Sequence, residues 1–182
     1  FRKIMIIRQL TGADALIYKE LRLQALQNNP ESYLATFESE VRRSIESFAS
    51  ELRYAFSPPI FGYYGIFVNK KDKNGKTKEK LVGYTHLDKS YLEKQQHIAF
   101  MYNLYVDPEY RGQGLATKVF EFLLKETQEK TNVERIFLSC NRKNIPAQKL
   151  YKKLGFTEYG VKEKSVKYNG KYDDEVELVK EI

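Results

Sequence analysis

Apolar and polar residues alternate with several different spacings along the 182-residue chain. The apolar run Ile4–Ile7 predicts a first strand, and Thr11 is of a residue type that caps helices. The helix that follows carries its apolar residues at Leu16, Leu21, Leu23 and Leu26. A second helix is predicted from about Ser39 to Leu52, because apolar residues three and four positions apart share one helix face. These residues are Val41, Ile45, Phe48 and Leu52.

The middle of the chain predicts an antiparallel β-hairpin. Phe61–Val68 and Lys80–Leu87 are rich in aromatic and β-branched residues, and the turn-forming pair Asn74-Gly75 lies between them. The segment 70–80 contains six Lys and two acidic residues, which gives it a net charge of +4. We therefore expect this segment to be a solvated hairpin tip.

The C-terminal half predicts alternating strands and helices. Strands are expected at His97–Val106, Arg135–Cys140, Phe156–Lys167 and Glu175–Val179, and helices at Gly114–Glu129 and Pro146–Leu154. The strand Arg135–Cys140 (RIFLSC) is short and apolar, as expected for a strand buried on both faces. Gly155 is placed to end a helix in the left-handed conformation, and Asn169-Gly170 is a second turn signal.

Composition indicates one globular domain over residues 1–182, since 42% of the residues are hydrophobic and 14% aromatic. No apolar run approaches the roughly 20 residues of a membrane helix, so we expect no membrane partner and a cytoplasmic location. The chain begins with Phe1, which leaves a removed leader open. One cysteine and two histidines supply few metal ligands, so no metal is expected. The net charge of +7 would attract nucleic acid, but the sequence contains no nucleic-acid-binding motif, so we expect no nucleic acid partner.

The segment Val106–Ala116 (VDPEYRGQGLA) places two glycines and an arginine where a strand gives way to a helix. Such a turn can bind an anion, because the first N–H groups of a helix have no partner within the helix and lie at its positive end. Glycine at 112 and 114 lets the backbone approach an anion closely. The spacing matches neither a dinucleotide-binding turn nor a Walker loop.

About 30 residues further on, Asn144–Phe156 reads NIPAQKLYKKLGF. The two segments resemble the signatures of the GNAT N-acetyltransferases, which are Gln/Arg-x-x-Gly-x-Gly/Ala and Asn-x-x-Ala-x-x-x-Tyr-x-x-x-Gly-Phe. The strongest resemblance covers about Gln95–Tyr159. It implies a mixed α/β fold with a mostly antiparallel sheet of six to seven strands, splayed between strands 4 and 5 and flanked by about four helices.

The resemblance implies that the protein transfers an acetyl group from acetyl-CoA to a primary amine. In the family, a strand with a β-bulge leaves backbone amides free for the pantetheine arm and the thioester; the matching residues are Asn103 to Val106. Leu104 N–H is the candidate oxyanion donor, and Tyr151 the candidate acid toward the CoA sulfur. The expected cofactor-binding residues are Leu104, Tyr105, Val106, Arg111, Gly112, Gln113, Gly114, Leu115, Ala116, Thr117, Asn144 and Tyr151.

Several questions stay open at this point. Asn144 is expected near the pantetheine arm, although it is also a good N-cap for the following helix. The general base is His97, Glu38 or an ordered water. Cys140 is expected to pack in a strand, which implies direct transfer without an acyl-enzyme. The acceptor is a small molecule or a protein, a homodimer is allowed, and an acyl-CoA-binding module without turnover is the alternative function.

Overall fold

The computed structural model describes residues 5–71 and 74–182. The strands are β1 (Met5–Gln9), β2 (Gly62–Lys71), β3 (Thr77–Lys89), β4 (Ile98–Val106), β5 (Arg135–Asn141), β6 (Thr157–Tyr168) and β7 (Lys171–Glu181). The α-helices are α1 (Ala15–Asn28), α2 (Phe37–Val41), α3 (Ile45–Ala55), α4 (Leu115–Lys130) and α5 (Ile145–Lys153).

The seven strands form one sheet in the order β1-β2-β3-β4-β5-β7-β6. Every neighbouring pair is antiparallel except β4 and β5, which are parallel and pair only through Ile98–Phe100 and Arg135–Phe137. Beyond these residues the two strands separate, so the sheet is open at its centre. The predicted mixed fold with a sheet splayed between strands 4 and 5 is confirmed.

The helices cover the two faces of the sheet and form a separate core on each. On one face, α4 and α5 bury a cluster that includes Val82, Val119, Phe120, Leu123, Ile136 and Tyr151. On the other face, α1 and α3 bury a cluster that includes Tyr18, Phe48, Leu52, Phe67 and Tyr84. Each fully buried large apolar side chain contributes about 1.5–3 kcal/mol to folding. The core under α4 and α5 includes Val68 and Val82 from one half of the sheet and Ile136 and Leu178 from the other, so it joins the two halves across the opening.

The predicted helix from Ser39 to Leu52 is wrong in one respect, because two helices occupy this segment. α2 ends at Val41, and α3 begins after Ser44, whose side chain accepts a hydrogen bond from the Ser47 N–H at 3.1 Å. Val41 and Ile45 are 40% and 48% exposed. Five α-helices are therefore described instead of about four. The apolar spacing continues across the break, so spacing alone does not reveal it.

The structure also corrects the predicted apolar face of the first helix and the predicted burial of β5. Thr11 caps a short 3-10 turn, Gly12–Asp14, and α1 begins only after it, at Ala15. Leu16, which was expected on the apolar face of this helix, lies on its outer side and is 51% exposed. The core face of this helix consists of Ala15, Tyr18, Leu21, Arg22, Ala25 and Leu26. β5 is not buried on both faces: Ile136 and Leu138 are buried, while Phe137 between them is partly exposed and Ser139 is exposed.

The two predicted Asn-Gly turns are present in the structure. Asn169 and Gly170 both have positive φ, of 48° and 75°, in the tight turn between β6 and β7. β2 and β3 pair as the expected hairpin, and Gly75 has a φ of 76°. The remainder of the predicted tip, residues 72 and 73, lies outside the described residues.

The Ser44 cap generates a stability prediction. We expect Ser44→Ala to lower the free energy of unfolding by about 1 kcal/mol, because the Ser47 N–H loses its acceptor. Ser50→Ala in the same helix is the control. The Ser50 hydroxyl hydrogen-bonds to the side chains of Glu46 and Arg53 and caps no backbone N–H, so the change should stay within about 0.5 kcal/mol. Urea unfolding of both variants measures the difference. Equal losses would show that the cap does not fix the start of α3.

Candidate active site

The opening of the sheet coincides with a bulge in β4. Tyr84 of β3 pairs with Tyr105 and His86 pairs with Tyr102, so Asn103 and Leu104 together oppose one residue of β3. Asn103 has a φ of 57°, a left-handed conformation that asparagine adopts more readily than most residues. Within the described chain, neither Asn103 nor Leu104 has a register partner in β3 or in β5. The backbone of β4 is therefore accessible at this point.

A cleft of about 760 Å³ passes through this opening. It is lined on one side by residues of α1 and the segment after it, in the middle by β4 and β5, and on the other side by the first turn of α4 and by α5. Eleven of the twelve predicted cofactor-binding residues line it: Leu104, Tyr105, Val106, Arg111, Gly112, Gly114, Leu115, Ala116, Thr117, Asn144 and Tyr151. Gln113 is exposed and does not line the cleft.

The turn that precedes α4 has the geometry of an anion site. Gly112 and Gly114 both have a φ of 73°, and a Cβ built on either one meets no atom within 4 Å. Gly114 is the N-cap of the 16-residue helix α4. The first N–H groups of α4 thus lie at a surface with no side chain from either glycine in front of them. A phosphate group can approach this backbone directly.

Arg111 joins this turn to the opposite wall of the cleft. Its Nε donates to the Val106 carbonyl oxygen at 2.9 Å, and its Nη2 donates to Asn29 Oδ1 at 3.0 Å. These two bonds use two of the five N–H donors of the guanidinium group. The side chain therefore brings a fixed positive charge to the edge of the glycine turn.

The segment just after α1 crosses the cleft and is attached to several of its walls. Asn141 Nδ2 donates to the Glu31 carbonyl oxygen at 3.1 Å, and Asn144 Nδ2 donates to Ser32 Oγ at 3.4 Å. Tyr33 Oη donates to the Leu104 carbonyl oxygen at 3.2 Å, directly at the bulge. These contacts join residues that are 71 to 112 positions apart in the chain. The sequence pattern contains no signal that could have revealed them.

Asn144 caps α5, as its residue type allows. Its Oδ1 accepts a hydrogen bond from the Ala147 N–H at 3.2 Å. The side chain also lines the cleft, so the cap and a contact with a ligand are compatible.

Tyr151 lies on α5 with its ring packed against Phe120 and Phe156, at centroid distances of 5.5 and 6.1 Å. The residue is only 7% exposed, yet it lines the cleft. Burial, and secondarily the neighbouring Cys140, raises the pKa of the phenol well above its usual range. The hydroxyl is therefore protonated at neutral pH and can act as a donor.

The two side chains considered as general base do not line the cleft. His97 precedes β4 and lies six residues from the bulge, a distance of roughly 20 Å along an extended strand. Glu38 is exposed on α2 and lines a neighbouring cavity of about 590 Å³. The carboxylate that lines the cleft is Glu175, on β7 beside Asn141. From the sequence alone Glu175 is only the first residue of a predicted strand, because its place in the cleft depends on the pairing of β5 with β7.

A family model described as the acetyltransferase (GNAT) family matches residues 25–156. The chain belongs to the GNAT family. The L-amino acid N-acetyltransferase AaaT of Escherichia coli K12 is 30% identical over 94 residues, which cover 52% of this chain and 57% of that protein. The [ribosomal protein bS18]-alanine N-acetyltransferase of the same strain is 40% identical over 60 residues, covering 33% of this chain and 40% of that protein. The aligned segments thus span about half the length of these relatives.

Nearly the whole length of this GNAT protein has the same fold as a solved acetyltransferase structure. An acetyltransferase of the GNAT family from Streptococcus pneumoniae has a TM-score of 0.79 and 19% identity, and the match covers 98% of this chain and 100% of that one. Among residues 5–71 and 74–182, no cluster of three or more His, Cys, Asp or Glu could hold a metal ion. No helix within these same residues is long and apolar enough to cross a membrane.

Cys140 of this GNAT cleft is predicted to react slowly with alkylating reagents. Burial, followed by the charges of Glu175 and Glu158, raises the pKa of its thiol to about 11. Only about 0.1% is then thiolate at pH 8, and the alkylation rate should increase tenfold per pH unit up to about pH 11. Iodoacetamide labelling followed by mass spectrometry, with circular dichroism to confirm folding, measures the profile. A rate that levels off below pH 9 would contradict the prediction.

Proposed function

We propose that this GNAT protein transfers an acetyl group from acetyl-CoA directly to the primary amine of a small molecule or a protein. The observation that carries the proposal is the cleft through the sheet. It joins a glycine turn suited to phosphate at one end to an accessible strand backbone at its middle. An elongated cosubstrate with a pyrophosphate and a thioester needs both features in this order.

The pyrophosphate would lie against the turn from Arg111 to Thr117. The N–H groups of the first turn of α4 would donate to its oxygens, and Arg111 would add its charge. Gly112 and Gly114 serve this contact through their open backbone. Gln113 was also expected here, but its side chain points to solvent, so any contribution would come from its backbone.

The pantetheine arm would follow β4 from Val106 to Asn103, where the strand lacks a partner in β5. A peptide-like arm can hydrogen-bond to such a strand in place of a neighbouring strand. Leu104 N–H would donate to the thioester oxygen as negative charge develops on it. Asn144, on the far wall, would contact the same arm.

In the chemical step, the amine nitrogen attacks the thioester carbon and the carbon–sulfur bond breaks. Tyr151 would donate a hydrogen bond, and finally its proton, to the departing sulfur; burial keeps the phenol protonated until negative charge develops on the sulfur. Glu175, or a water beside it, would take the proton from the amine. The raised pKa of Cys140 supports direct transfer, because a protonated thiol is a weak nucleophile.

The acceptor class is an amine, in keeping with relatives whose names specify L-amino acids and the alanine of ribosomal protein bS18. A homodimer and a cytoplasmic location stay predictions. A panel of amines with acetyl-CoA, monitored by release of free thiol, tests the proposed activity. Thermal unfolding with and without CoA accompanies it, since a ligand of the native state raises its stability. Stabilisation without thiol release from any amine would favour the binding module without turnover.

The role of the glycine turn predicts a difference between two closely matched variants. Gly114→Asn and Gly114→Asp both tolerate the left-handed conformation better than other residues, and both are good N-caps for α4. They differ in one negative charge that would face the pyrophosphate. We expect CoA to bind the Asp variant at least about tenfold more weakly than the Asn variant. Calorimetric titration with CoA measures both affinities, and equal values would place the phosphate elsewhere.

The role of Tyr151 predicts a loss of turnover with retained binding. Tyr151→Phe keeps the ring that packs on Phe120 but removes the hydroxyl, so kcat should fall by roughly 10²- to 10⁴-fold at saturating acetyl-CoA. The affinity for acetyl-CoA and the melting temperature should change little. Tyr54→Phe, at a residue 86% exposed on α3, is the control. Parental turnover in Tyr151→Phe would remove the hydroxyl from the reaction.

A further inference from the structure

Arg22 is a cation buried beside the cleft without an anionic partner. It lies in the middle of α1, is only 7% exposed and lines the cleft. Among residues 5–71 and 74–182, no carboxylate lies within salt-bridge distance of its guanidinium group. Arginine keeps its charge at all physiological pH values, and buried charges in proteins are normally paired.

The groups around Arg22 supply one long hydrogen bond and one ring contact, but no negative charge. Its Nη1 donates to Tyr84 Oη at a long 3.4 Å, and its Cζ lies 4.8 Å from the centroid of the Tyr33 ring. Glu40 influences Arg22 from further away, but its carboxylate is already bound to Arg43 at 2.9 Å. The guanidinium fork is therefore left with donors that face the cleft.

Arg22 lies on the acceptor side of the cleft, away from the glycine turn proposed for the cosubstrate. It belongs to the core formed by α1 and α3, on the face of the sheet opposite the helix whose N-terminus carries the glycine turn. It is also close to the reacting centre, because the Tyr33 ring beneath it donates its hydroxyl to the Leu104 carbonyl oxygen at 3.2 Å. One aromatic ring thus separates the guanidinium from the bulge.

We propose that Arg22 binds a carboxylate carried by the acceptor, so that the acceptor is a free amino acid or a closely similar amino carboxylate. The inference rests on the acetyl transfer proposed above. In an α-amino acid the carboxylate and the amine are attached to one carbon. An acceptor held by Arg22 through its carboxylate therefore presents its amine toward the bulge and Glu175. Arginine suits this role because its fork can bind both carboxylate oxygens at once.

The charges of the cleft favour this class of acceptor over the other amines. Among the residues that the structure describes, its lining contains two arginines, Arg22 and Arg111, and one carboxylate, Glu175. A polyamine would bring further positive charge beside Arg22. A protein N-terminus has an amide in place of the first carboxylate and would leave Arg22 unpaired.

The test compares L-amino acids with the corresponding L-amino acid amides as acceptors, by thiol release at saturating acetyl-CoA. Polyamines and a short peptide with a free N-terminal alanine complete the panel. We expect kcat/KM for the preferred amino acid to exceed that for its amide by about 30-fold or more. The amine of the amide is less basic and thus more often neutral, so a preference for the acid would not come from amine reactivity.

Variants identify the residue responsible for this preference. In Arg22→Met the preference for the acid over the amide should disappear, mainly through KM, while the affinity for acetyl-CoA is retained. Arg22→Lys should restore part of the preference, because it keeps the charge but not the fork. Arg42→Met, at an exposed residue that does not line the cleft, should keep the full preference.

The melting temperature distinguishes a substrate-binding role from a structural one. An unpaired buried charge is unfavourable for folding, so Arg22→Met should melt at the parental temperature or higher. A lower melting temperature with an unchanged preference would assign Arg22 to the fold and overturn the inference. Equal turnover of acids and amides, or turnover of only polyamines or the peptide, would overturn the inference but leave the acetyl transfer intact. Absence of both acetyl-CoA binding and thiol release would instead overturn the proposed function.

Discussion

The backbone of β4 must satisfy its hydrogen-bonding groups on two sides, and it can do so only along part of its length. It pairs with β5 through Ile98–Phe100 alone, and at Asn103 and Leu104 the bulge also interrupts its pairing with β3. Backbone groups that lack a strand partner need another one, because unpaired polar groups are costly when buried. A ligand that enters the opening can supply it. The core under α4 and α5 joins the two halves of the sheet across this opening.

The remaining parts of the site are arranged around that opening. The glycine turn and α4 lie on one face, where a phosphate can meet the helix N-terminus. Arg22 lies on the other face, where it would meet the acceptor. The segment after α1 holds the faces together through Arg111 and Leu104. In the proposed reaction, donor and acceptor would therefore approach from opposite sides and meet at the bulge, as direct transfer requires.

The features that the sequence predicts correctly are those encoded locally. The glycines at 112 and 114 and the Asn144–Phe156 motif determine a turn and a capped helix within a few residues, and both line the cleft. Two of the failures involve contacts between distant parts of the chain. Arg22 lies in an ordinary helix pattern, and the position of Glu175 depends on the register of β5 with β7. The break at Ser44 was missed because the apolar spacing continues through it.

We propose that the part of β4 that lacks a strand partner, together with the start of α4, holds the acyl donor. Hydrogen–deuterium exchange of backbone amides, with and without saturating CoA, tests this most directly. We expect slower exchange at Asn103–Val106 and Gly112–Ala116 when CoA is bound, and no change at the turn Tyr168–Lys171 between β6 and β7. Unchanged exchange at both segments in protein that demonstrably binds CoA would contradict it.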